Sequence, residues 1–212
     1  MKKISIKVAF VAIILISKFS FVNAQPIPVE LMLGNKYGTF MLIVNKKFSE
    51  QSKFGVFHIN ILQFDYIKNQ ENDIMLQDLL FYEPIKNLRL TGGGFYGGRP
   101  GFIPTLGMQF ALKKTDFFML IAPRVNIQPV PQYDIFTILE YEHKLSEKLS
   151  LCSGVQALVL FNKNENIKCS QSIRFGLSIQ NYQFGAAVDL EQVGKDFEKN
   201  VNFGLYMKHD IF

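Results

Sequence analysis

Tryptophan is absent from this 212-residue chain, cysteine occurs twice and histidine three times. Each scarcity closes off a class of chemistry. His58, His143 and His209 are scattered, and an acid adjoins only two of them, as in the pair His209-Asp210. Neighbours on a strand point to opposite faces, so that pair would not hold one ion. No metal and no other cofactor is expected. An acyl-cleaving enzyme needs a histidine with a serine or an acid on the same face. His143 has Tyr141 and Leu145 as its same-face neighbours. The chain is therefore read as a non-enzyme without catalytic residues, its histidines sitting at strand ends near a membrane interface. Cys152 and Cys169 fall on opposite faces when alternation is followed, and a turn near Asn164 sets Cys152 opposite about Gly176. That offset is beyond disulfide reach, so two free thiols are expected.

Charge is also scarce, at 19% Asp, Glu, Lys and Arg. The formal net charge of +5 does not point to nucleic acid, because four lysines (Lys2, Lys3, Lys7, Lys18) lie in the first 24 residues. Those residues have a positive start, an apolar run from Val8 to Ile16 and a small-residue site at Val22-Asn23-Ala24. This is the three-part pattern of a secretory signal, with cleavage expected before Gln25. The chain from 25 to 212 then keeps 19 basic and 18 acidic residues, a net charge of +1. Phosphate binding needs a basic surface that survives such processing. Beyond residue 24 no apolar run approaches the roughly 20 residues of a spanning helix.

Helical periodicity is nearly absent. Segments of about 10 to 14 residues, rich in Phe, Ile, Leu, Val and Tyr, alternate with short polar breaks. Period two is clearest in the second half. Phe117, Met119, Ile121, Pro123 and Val125 share one face against Arg124 and Asn126. Ile173, Phe175, Leu177 and Ile179 likewise oppose Ser172, Arg174 and Ser178. A half-buried strand has this pattern. Strands this long match a tilted bilayer crossing better than a soluble sandwich, and small residues such as Ser150, Gly154 and Gly176 suit a crowded lumen. The expected fold is all-β: a single antiparallel transmembrane barrel of about twelve strands, ten being the alternative count. In the N-terminal third, Phe57-Ile59-Ile61 and Leu62-Phe64-Tyr66 are out of phase, which predicts a bulge near Ile61. Gly92-Gly93-Gly94-Phe95-Tyr96-Gly97 has the letters of a phosphate-binding loop. A turn and another strand follow it instead of a helix, so glycines relieving a crowded strand are the better account.

Four stretches, Phe118 to Ile127, Ile135 to Leu158, Ile173 to Leu190 and Asn202 to Phe212, carry a resemblance. The chain resembles uncharacterised outer-membrane β-barrel proteins of Bacteroidota. That resemblance implies a barrel in the outer membrane and brings no activity or catalytic residue with it.

The informative polar residues are those alternation turns inward. They are Arg89, Gln109, Lys113, Arg124, Glu140, Glu142, Lys148, Gln156, Lys168, Arg174, Asp189 and Glu191. A lumen cluster of Arg124, Glu140, Glu142 and Arg174 is expected, with Arg124, Glu140 and Arg174 pairing at similar height. The expected function is a narrow pore or a structural envelope protein. The alternative is a surface protein presenting its loops, and an envelope-lipid enzyme comes last. The expected partners are outer-membrane lipid, the barrel-assembly machinery and, with an open lumen, small solutes.

Overall fold

The computed structural model describes residues 27–66, 73–98, 100–194 and 198–211. The expected signal segment lies outside them. The chain forms twelve strands: β1 (Ile27–Gly34), β2 (Tyr37–Lys47), β3 (Phe54–Asp65), β4 (Asp73–Ile85), β5 (Leu88–Gly97), β6 (Gly101–Lys113), β7 (Phe117–Asn126), β8 (Gln132–Lys144), β9 (Leu149–Phe161), β10 (Asn166–Ile179), β11 (Tyr182–Val193) and β12 (Glu198–Ile211). Every strand pairs antiparallel with its sequence neighbours, and β1 closes on β12 from Ile27↔Ile211 to Gly34↔Gly204. The closed ring leaves no free edge, so every strand has a ladder partner on both sides.

Short turns hold the hairpins. Lys86–Asn87 and Gln180–Asn181 are two-residue connections. Asn87 (φ 70°) and Gln180 (φ 58°) take left-handed backbone angles there, as such tight reversals demand. An even strand number returns both ends of the barrel wall to one side, called here the terminal end. Alternation then sorts the wall. Met32, Leu120, Arg124, Ile138 and Arg174 turn inward and are buried, while Leu80, Phe102, Phe175, Phe203 and Leu205 turn outward and are exposed.

The structure corrects the reading of the N-terminal third. No bulge interrupts β3, whose pairing with β4 runs unbroken from Phe54↔Tyr82 to Gln63↔Asp73. Register shifts fall instead between Tyr82 and Ile85 and between Asn166 and Lys168. Phe57 and Ile59 point inward while Leu62 and Phe64 point outward, because this strand is apolar on both faces. The thiols sit as the register dictates: Cys152 opposite Gly176, Cys169 opposite Val159, and both free.

The glycine-rich run is strand β5. A side chain at Gly93 would meet the backbone of Asp78 and Leu79 on β4. Crowding, not phosphate, accounts for this glycine.

Candidate functional site in the lumen

A cavity of about 630 Å³ opens into the lumen at the terminal end. Its wall carries charge of both signs in separate sectors. Lys47, Lys86, Arg89, Lys113 and Lys114 line the side built by β2 to β6 and the turn after β6, with Glu83 and Asp116 among them. Glu30, Glu140, Glu142 and Asp210 line the opposite side, around Arg174 and Lys208. The floor is apolar, formed by Phe57, Ala111, Leu120 and Ile138.

Beneath that floor the lumen is filled by side chains. Phe57, Ile59, Leu79, Phe81, Leu120, Ala122, Phe136 and Ile138 form one buried cluster from strands β3, β4, β7 and β8. The expectation of a polar and small-residue lining is therefore corrected on this side of the barrel. The guanidinium of Arg89 lies 4.1 Å from the centroid of the Phe81 ring and covers it from the cavity. Arg89 also donates to Glu83 (3.1 Å) and to Asn45 (2.7 Å), while Lys47 shares the same Glu83 carboxylate at 3.0 Å.

Beyond the cluster, towards the far end, lies a polar layer. Arg124 donates to Asp134 at 2.6 Å and to the side-chain amide oxygen of Gln77, and its guanidinium sits 5.5 Å from the Phe136 ring. Asn126 donates to the other Asp134 oxygen (3.0 Å) and accepts from Thr105 (2.9 Å). Gly107 makes room for this arginine: a Cβ there would lie 2.8 Å from Arg124 Cγ. Nearer the terminal end, on the opposite wall and lining the cavity with Glu30, Arg174 bridges Glu30 (2.8 Å) and Asp189 (3.0 Å), and Ser172 also donates to Asp189. Their side chains are only 9%, 6% and 13% exposed, so each charge relies on its partners rather than on water.

The expected mutual pairing of Arg124, Glu140 and Arg174 is replaced by three separate sets. Glu140 and Arg174 do share a row, both opposite Gly154. Each nevertheless reaches elsewhere. Glu140 accepts from Lys208 at 2.7 Å, across the chord from β8 to β12. Arg124 lies opposite Asp134 and bonds to that aspartate. Glu142 lies opposite Cys152 and lines the cavity. Lys148 lies in the connection between β8 and β9.

Reading the sequence overlooked Glu30 and Lys208, the partners supplied by the first and last strands. A signal was there. Glu30 interrupts Val29, Leu31 and Leu33, and Lys208 sits between Met207 and His209. What alternation does not give is the reach across the lumen. Glu30 and Arg174 are 144 residues apart in sequence, and two strands lie between them in the ring.

The barrel resembles solved porins in fold. It matches the KdgM porin with a TM-score of 0.51 at 10% identity, covering 89% of this chain and 100% of that one. A structure described as KdgM porin in complex with disordered oligogalacturonate gives 0.51 at 8% identity with the same coverage. The NanC porin gives 0.49 at 8% identity, again over 89% and 100% of the two chains. No family model and no curated protein matches the chain.

Proposed function

We propose that this protein is an outer-membrane barrel acting as a narrow pore. Small ions enter it from the periplasmic side through the charged cavity, and a packed side-chain constriction limits their passage. The single observation that carries the reading is the lumen itself. A vestibule of about 630 Å³ ends on a floor of Phe57, Leu120 and Ile138, which are at most 2% exposed. Cationic and anionic walls facing each other across the vestibule set up a transverse field that orients permeating ions.

Membrane placement is supported by the outer wall. Aromatic pairs gather at two levels: Phe54 with Tyr82 and Tyr182 with His209 at the terminal end, Tyr133 with Phe161 and Phe64 with Tyr66 at the far end. Along β3 the two belts are ten residues apart, about 33 Å of strand. Tilted by roughly 40°, that gives a band near 25 Å, the height of an outer-membrane apolar belt. Short connections such as Asn35–Lys36 leave little loop surface for a binding partner. The reading takes residues 1–24 as a cleaved export signal, the assembly machinery and lipid as partners, and the likeness to Bacteroidota barrels as the relationship.

Planar-bilayer recordings of the wild type and Phe57→Ala test the pore. The wild type is expected to give small, resolvable conductance steps, and the variant larger ones, since removing the ring opens the vestibule floor. Two silent proteins, both inserted, would make this a closed structural barrel and overturn the reading.

A further inference from the structure

The outer wall has one chemical exception. Among the described strand residues, the outward-facing Asp, Glu, Lys, Arg and His side chains are Lys46, His143, Lys199 and His209 near strand ends, and His58 and Asp78 in mid-strand. The expectation of a strand-end role for His58 is therefore corrected: it is the fifth residue of the twelve in β3. His58 and Asp78 are directly opposite in the β3–β4 ladder, with Nδ1 and Oδ1 2.8 Å apart. Each lies four positions along its strand from the nearest belt aromatic, Phe54 or Tyr82. That is about 13 Å along the strand and, with tilt, roughly 10 Å into the apolar band.

This pair is not hidden in the wall. The Asp78 side chain is 78% exposed and would face hydrocarbon. Two residues along β3, the amide oxygen of Asn60, on the same face, has no hydrogen-bond partner. Ionisable groups at this depth are unfavourable against lipid and favourable against a polar partner. The surrounding outward residues, Val56, Leu76 and Leu80, are apolar.

We propose that the β3–β4 wall is a self-association surface, on which two copies of this chain meet in the membrane. Complementarity names the occupant. His58 and Asp78 lie side by side at one depth, so a two-fold axis along the membrane normal exchanges left and right and sets each histidine against the other copy's aspartate. An isologous contact of this kind needs a patch carrying both a donor and an acceptor. With a proton shared across the Nδ1···Oδ1 contact, His58 Nε2–H is the donor and the exposed carboxyl the acceptor, and Val56 and Leu80 give the apolar surround. The inference goes beyond the pore reading and rests only on its membrane placement.

Sedimentation of the protein in mild detergent and in lipid nanodiscs tests it. The wild type is expected to be a dimer. His58→Asp sets four carboxylates together and weakens dimerisation by roughly a hundredfold. Combining His58→Asp with Asp78→His restores the pairing and the dimer. Unheated gel mobility, unchanged in every variant, verifies the folded barrel. A monomeric wild type in both media, or a His58→Leu/Asp78→Leu variant that remains dimeric, overturns the interface. Recovery of the wild type from cells without detergent would instead overturn the membrane placement.

Discussion

Arg174→Ala is expected to destabilise the barrel by about 3–5 kcal/mol, because it strands two buried carboxylates. Glu30 and Asp189 both direct an oxygen at this guanidinium, at 2.8 and 3.0 Å. Glu30 belongs to β1 and Asp189 to β11, so the arginine ties β10 to both sides of the closing seam between β1 and β12. Loss of the ion pairs should therefore loosen the seam first. Urea unfolding in detergent, followed by the folded band on unheated gels, measures the effect. Removing all three charges together (Glu30→Gln, Arg174→Met, Asp189→Asn) should recover most of the loss, since no lone buried charge is left. A change below about 1 kcal/mol for Arg174→Ala would mean that water reaches the site and screens it.

Arg124→Ala is expected to act twice. It leaves Asp134 buried beside Asn126 with no cation, a loss again of about 3–5 kcal/mol. It also removes the group that spans from β7 to Gln77 on β4 over the apolar cluster. Conductance should rise with the loss of that cover, a consequence not shared by a substitution on the outer wall. Arg124→Met, which keeps much of the side-chain volume without the charge, separates the two effects. It should be destabilised like the alanine variant yet conduct less. Equal stability in Arg124→Ala and the wild type would show that the network around Asp134 holds without its arginine.

The two halves of the chain differ in how much of this was legible beforehand, and the lumen explains the difference. In β7 to β11 the inward face carries Arg124, Glu140, Gln156, Arg174 and Asp189, so alternation separated the faces and placed Cys152 opposite Gly176. In β3 and β4 the inward face carries Phe57, Ile59, Leu79 and Phe81, as apolar as the outward-facing set. Period two has no contrast to display there, and an imagined bulge filled the gap. Partner choice was the other failure. Strand register brings Glu140 and Arg174 into one row, but long side chains choose among all groups across a narrow lumen. Lys208 reached Glu140 and Glu30 reached Arg174 because β1 and β12 curve round to close the ring. His58 and Asp78 escaped notice for a related reason: twenty residues apart in sequence, they become neighbours only through the β3–β4 register.

The most direct test of the whole account is one fractionation of cells producing the full chain. The outer-membrane fraction is run unheated and boiled on the same detergent gel. The account predicts that the protein is found in that fraction and migrates faster unheated, as a closed barrel that resists detergent until boiled. Recovery in a soluble fraction, or in the outer membrane with identical mobility in both lanes, would contradict it.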